Sequence, residues 1–88
     1  MRDFFQRVIE FYGEKVQENQ CIEECAELIQ AINKKHRYKP HNIAEEIADV
    51  EITLEQLKII NKCEEEVKRI KQEKLLRLSS RMKWVEME

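Results

Sequence analysis

Five acids carry the chemistry that this chain could do. Glu23, Glu24 and Glu27 form a Glu-Glu-x-x-Glu run, and Glu46 and Asp49 form a Glu-x-x-Asp run, with 18 residues between Glu27 and Glu46. A separation of three on a helix points two side chains the same way, so Glu24 with Glu27, and Glu46 with Asp49, can each grip one cation. Two antiparallel helices can bring the pairs together. Four hard oxygen ligands suit magnesium or manganese, not zinc.

Acids on a charged helix are usually just solvated, because glutamate is rarely buried unless paired. Position on the helical wheel separates the cases. At about 100° per residue, Glu24 falls between Leu28 and Ala31, inside the apolar arc of its helix, with Glu27 just beyond the edge. Glu46 falls between Leu57 and Ile60 with Thr53 nearby and Asp49 at the margin, whereas Glu51 and Glu55 lie on the opposite, polar side. Carboxylates aimed into an apolar seam are costly, and two such pairs facing one another repel. A divalent cation resolves both problems.

A chain with one glycine has no glycine-rich phosphate loop, so phosphate would have to be met by cationic side chains. Lys71, Lys74 and Arg81 fall along the apolar stripe of Cys63, Val67, Ile70, Leu78 and Met82, and Arg77 sits at its edge. Lys71, Lys74 and Arg77 are the substrate-binding candidates, against the plainer alternative that their stems cover apolar surface while the charges reach water. The basic segment from Lys34 to Lys39 reads as a solvated turn at a helix end. Trp84 and Tyr38 could stack on a base, but ordinary packing is the expectation for both. Cys21-x3-Cys25 followed by His36-x4-His41 loosely resembles a zinc spacing; thiols one turn apart within an apolar run are better read as small hydrophobes, and no zinc is expected.

The elements that must position these groups are helical throughout. Phe4, Phe5, Val8, Ile9, Phe11 and Tyr12 recur at helical spacing between Asp3, a plausible N-cap, and Gly13, the one residue suited to a left-handed cap. A second helix runs from Glu14 to about Lys35, with Cys21, Ile22, Cys25, Ala26, Leu28, Ile29, Ala31 and Ile32 covering a wide arc. After the loop Asn42 and Glu45 make a capping-box-like start to a third helix, whose main stripe is Ile43, Ile47, Val50, Leu54 and Leu57. Ile52 and Ile59 make a second stripe, which implies burial against another subunit. A break near Asn61 leads to a fourth helix reaching about Trp84. The expected fold class is all-α, a four-helix bundle-like subunit in one domain over residues 1–88, assembling as a dimer or tetramer.

Composition agrees with that class and narrows the partners. Charged residues make up 39% of the 88, while glycine and proline occur once each, which leaves little from which to build hairpins. A net charge of -2 exerts no pull toward nucleic acid or an anionic membrane, so neither is an expected partner. No apolar run approaches the length of a membrane span, and MRDFFQRVIEF has charges inside its apolar stretch and no cleavage-site pattern. A cytoplasmic location with reduced thiols is expected.

The stretch CIEECAELIQAINK followed by NIAEEIADVEITLEQLKII resembles the MazG-like nucleotide pyrophosphohydrolases, particularly their short phage and bacterial members, whose signature is EExxE, a spacer and ExxD. The likeness covers residues 20 to 60; beyond it there are only the Lys74-x-x-Arg77-Leu78 pattern and the Tyr12-Gly13 junction. It implies a helical, dimeric or tetrameric enzyme that cuts a nucleoside triphosphate (NTP or dNTP) between the α- and β-phosphates, releasing a monophosphate and pyrophosphate. Carried over residue by residue, it makes Glu24, Glu27, Glu46 and Asp49 the ligands of magnesium, for which manganese can substitute, while Glu23 completes the catalytic motif. The cation would bridge triphosphate oxygens, neutralise developing charge and activate a water for in-line attack. Whether Glu23 acts as general base stays open at this level. Phosphoribosyl-ATP pyrophosphohydrolases and dimeric deoxyuridine nucleotide hydrolases share the carboxylate scheme, and a non-catalytic helical interaction module is the alternative of another class.

Overall fold

The computed structural model describes residues 1–87, and side chains for residues 1–83. Four helices make up the described chain, α1 (Arg2–Tyr12), α2 (Glu14–His36), α3 (Ile43–Ile60) and α4 (Glu64–Met87), with no strand among the described residues. None of these helices is long and apolar enough to cross a membrane. The side chain of Trp84 lies outside the described residues.

Local sequence explains each junction. Gly13 adopts φ 96° and ψ 149°, a region closed to most L side chains, while its N–H donates to the Ile9 carbonyl at 2.7 Å. That single residue separates α1 from α2. Asp3 is not the N-cap: the cap position is Met1, without a side-chain bond, and Asp3 sits in the first turn, where its charge complements the helix dipole. Lys34, Lys35 and His36 remain helical, since cations suit a helix C-terminus, and the loop is confined to residues 37–42. Tyr38, in that loop at φ 59°, is 98% exposed and therefore unpacked, contrary to expectation. Asn42 does precede α3, but no side-chain cap forms. Its Nδ2 donates instead to Glu46 Oε1 at 2.8 Å and, more distantly, to Glu45 Oε2 at 3.5 Å.

The packing differs from a closed bundle. α2 and α3 pair extensively, α1 rests on both, and α4 packs chiefly against α3. A bidentate bond from Arg2 to Glu64 ties the start of α1 to the start of α4. The radius of gyration is 16.7 Å, against roughly 12 Å for a compact chain of this length, and the molecule measures 54 × 38 × 19 Å.

The core is correspondingly thin: Ile9, Cys21, Ala31, Val50 and Ile59 are its buried apolar members. The buried face of α3 is Glu46, Val50, Thr53, Gln56 and Ile59, rotated from the expected stripe, while Ile47 and Leu54 are over 40% exposed. Ile59 packs inside the chain, which corrects its assignment to an outer stripe; Ile52 remains 47% exposed. The reason lies in the α2/α3 seam, which is built from polar pairs and turns the aliphatic positions outward.

Candidate metal centre

A single antiparallel register sets the seam. Gln17 Nε2 on α2 donates to Gln56 Oε1 on α3 at 2.6 Å. Seven residues up α2 from Gln17 comes Glu24, and seven residues down α3 from Gln56 comes Asp49; three further along each helix come Glu27 and Glu46. Two helical turns take seven residues, so the acids return to the face that the glutamines occupy. Carboxylate oxygens of Glu24, Glu46 and Asp49 accordingly lie within 4.8 Å of one another. Glu46 is buried at 7% exposure, and Glu24 and Asp49 are half-buried.

One oxygen of each glutamate is held and the other is not. Gln20 Nε2 donates to Glu24 Oε1 at 2.7 Å, and Asn42 Nδ2 holds Glu46 Oε1. Glu24 Oε2 and Glu46 Oε2 are buried with no hydrogen-bond partner. Ion pairs among the described residues, Arg2–Glu64, Lys58–Glu55 and Arg69–Glu73, lie elsewhere. A buried carboxylate oxygen lacking both a donor and a counter-charge carries a heavy desolvation penalty. The donor set fits a hard divalent cation: three acids within one coordination sphere's reach, two of them with an oxygen free. Glu27 stands beside them, exposed, its carboxyl pushed above the ordinary range by the charge of Glu24 and then that of Glu46. Glu23 is exposed and outside the cluster.

Family models, curated proteins and solved structures offer no match to this chain. The residues around the acids must therefore speak for themselves.

A cavity of about 160 Å³ opens beside the cluster, with Glu24 and Asp49 at one end and Gln17, Gln20, Thr53 and Gln56 along it. Thr53 is fixed by its own Oγ1 donating to the Val50 carbonyl at 2.9 Å. The cationic candidates lie in a different hollow. Lys71 and Lys74 line a groove of about 1070 Å³ between α3 and the start of α4, walled by Phe5, Leu57, Val67 and Ile70. Glu51 and Glu55 flank the same groove, and the metal-site acids do not line it. Arg77 is exposed and lines neither hollow. Cys21 and Cys25 are free thiols on α2, the first buried; burial and then the neighbouring Cys21 push the Cys25 thiol up.

Gln17, Gln20 and Gln56 carry no role in the sequence because amides read as polar surface, and Asn42 is read there only as a helix cap. The usable signal was periodicity: Gln17, Gln20, Thr53 and Gln56 repeat the wheel positions of the acids at steps of three, four and seven.

Proposed function

We propose that this chain is a magnesium-dependent nucleoside triphosphate pyrophosphohydrolase of the MazG-like kind, adding water to an NTP or dNTP so that the α–β anhydride bond breaks into a monophosphate and pyrophosphate. One observation carries the reading: two buried, partnerless oxygens, Glu24 Oε2 and Glu46 Oε2, in a cluster of acids that forms none of the ion pairs found among the described residues. A merely solvated acidic patch has no reason to bury such atoms.

Glu24, Glu27, Glu46 and Asp49 would hold the magnesium, or manganese in its place, and the bound cation would supply the positive charge that a triphosphate needs beside four carboxylates. Gln20 and Asn42 position the ligands, each fixing the outer oxygen of a glutamate and so setting the direction of its free one. The polar seam excludes bulk water from Glu46, and Glu23, on the exposed side, is free to take a proton from outside the cluster.

Assembly into a dimer or tetramer belongs to the same proposal. The accessible surface is 7522 Å², whereas a compact monomer of 10.7 kDa exposes roughly 5,500 Å². The excess, about 2,000 Å² on one chain, lies within the roughly 1,000–2,500 Å² that each partner buries in an obligate interface. Ile22, Ile29 and Ile32 on α2, Ile47 and Leu54 on α3, and Leu75, Leu76 and Leu78 on α4 supply it.

The test is a screen of the purified protein against all NTPs and dNTPs with magnesium and pyrophosphate detection. Glu24→Gln and Glu46→Gln should each lower turnover by orders of magnitude, with the exposed Glu51→Gln as matched control. Turnover within about twofold of wild type in either ligand variant would remove the metal assignment.

A further inference from the structure

α4 carries one apolar face that is used over part of its length and bare over the rest. Val67, Lys71, Lys74, Leu75, Leu78 and Met82 share one side of the helix, within about 100° of arc. The first three line the groove of about 1070 Å³ against α3, and no described residue beyond Lys74 lines it. Leu75, Leu78 and Met82 are each more than half exposed. From Val67 to Lys74, and again from Leu75 to Met82, the helix makes two turns, a rise of about 10 Å. The groove therefore has the length of the apolar face that α4 leaves uncovered.

Charge says which helix fits and in which direction. Residues 74–83 hold four cations, Lys74, Arg77, Arg81 and Lys83, and no acid, whereas residues 64–73 hold Glu64, Glu65, Glu66 and Glu73. The helix dipole accounts for acids in the first turn, but Arg77 and Arg81 stand more than a turn before Met87, beyond its reach. Ion pairs among the described residues use neither of them. Glu66, Glu73, Arg77 and Arg81 are all exposed and fall within about 80° of one another, along one flank of the apolar face. Consider α4 laid antiparallel on a second copy of itself, with a two-fold axis near Lys74 and Leu75. Leu78 then meets the stem of Lys71, and Met82 meets Val67. Antiparallel helices match like flanks, so Arg77 comes beside Glu73 and Arg81 beside Glu66 of the other copy. A parallel pair would set each of these charges against itself, which repels.

We propose that the α3/α4 groove is the docking site for the second half of α4 from another copy of this chain, which receives the first copy's α4 in exchange. The contact is isologous, so it closes on a pair and leaves neither bare stripe uncovered. It rests on the assembly proposed above, of which it is one contact, and not on the hydrolase reading; the exposed isoleucines of α2 belong to another contact. It also gives α4 a second partner, where a single copy packs that helix chiefly against α3.

A charge exchange between two variants tests the contact. Glu66→Arg/Glu73→Arg makes the flank of α4 positive, and Arg77→Glu/Arg81→Glu makes it negative. All four positions are exposed, so each variant should keep the helical content of wild type, which circular dichroism checks. At low salt, sedimentation equilibrium of either variant alone should give about half the wild-type mean mass or less, because its two α4 flanks now repel. An equimolar mixture of the two should return to the wild-type mass, since every flank then meets one of opposite charge. Leu75→Glu/Leu78→Glu, which places charge on the bare stripe, should lower the mass in the same way. Variants that sediment as wild type, or a mixture that stays apart, would overturn the contact. An assembled wild type that no variant alters would overturn this contact alone and leave assembly to the other faces. A wild type that is monomeric at micromolar concentration would overturn the assembly reading together with the contact, and the triphosphate screen would still decide the hydrolase reading separately.

Discussion

Replacing Glu46 by glutamine should stabilise the metal-free protein while removing its response to magnesium. With carboxylate oxygens of Glu24, Glu46 and Asp49 within 4.8 Å of one another, each charged pair costs about 3 kcal/mol at an effective dielectric near 20. Glu24 and Asp49 are only half-buried, so solvent screening reduces the net relief from removing one charge to about 1–2 kcal/mol. Geometry favours the exchange as well. The carbonyl of the new amide can keep the bond from Asn42, and its nitrogen takes the place of the orphaned Oε2, where it can donate to the acids around it.

For a chain of this size 1 kcal/mol moves the melting temperature by about 4–8 °C, so Glu46→Gln should melt roughly 5–15 °C above wild type in chelator. Magnesium at about 100 times its dissociation constant should stabilise the wild type by about 2.7 kcal/mol and the variant far less, reversing their order. Circular dichroism melts at one fixed protein concentration, with chelator and across a magnesium series, give both numbers. A variant that melts below wild type in chelator, or one that keeps the full magnesium shift, would refute the account of Glu46 as a strained ligand.

Three further outcomes follow from particular residues. Gly13→Ala should destabilise by about 1–2 kcal/mol in the same melts, because an L side chain is strained at φ 96° although nothing within 4 Å meets its Cβ; an unchanged melt would show that the junction relaxes. Glu64 carries a carboxyl held below its ordinary range by the hydrogen bond from Arg2, so its stabilising effect is present above the ordinary carboxylate pKa and is lost as pH falls through the lowered one. The melting difference between wild type and Glu64→Gln should thus be visible at about pH 7, fade as the pH is taken below the ordinary carboxylate range and shrink with added salt; a difference that persists once the carboxyl is protonated would assign it to packing instead. Changing Ile22 and Ile29 together to Glu should dissociate the proposed assembly in sedimentation runs, since both are at least 60% exposed on one face of α2; an unaltered sedimentation coefficient would move the interface elsewhere.

How far the sequence could be read depended on the kind of signal. Helix boundaries were legible because Gly13, the Arg37 to Asn42 loop and the Asn61 break are the few places where this helix-forming chain can turn. The wheel also placed Glu24 and Glu46 toward the interior and left Glu51 and Glu55 outside, since helical period is a local property. Which face of α3 meets α2 is not local. Hydropathy pointed to Ile47 and Leu54, yet the chain packs through Thr53 and Gln56, because the mutual bond of Gln17 and Gln56 satisfies polar atoms that hydropathy counts as a penalty. The capping role expected of Asn42 failed because its side chain is oriented by donating Nδ2 to a carboxylate four residues on, and its oxygen accepts no N–H of the first turn. The position of α4, which makes few contacts with the other helices, had no sequence signal at all.

The rotated face of α3 has a consequence for how site and assembly depend on each other. A seam filled with glutamines and acids contributes little hydrophobic stabilisation, and the apolar side chains that could supply it are turned outward. Folding of one chain therefore leaves two deficits, uncompensated charge inside the seam and uncovered aliphatic surface outside it. On the proposed reading the cation relieves the first and a second copy the second. Both act on the α2/α3 pair, since Ile22 and Ile29 flank Glu24 and Glu27 on the same helix. Any loosening of α2 should then weaken both. The Ile22→Glu/Ile29→Glu variant, though it touches no metal ligand, should bind magnesium more weakly in a calorimetric titration, and magnesium should in turn tighten subunit association by the same factor, because linkage is reciprocal. Magnesium affinity unchanged in a fully dissociated variant would mean that the acids are organised within one chain alone.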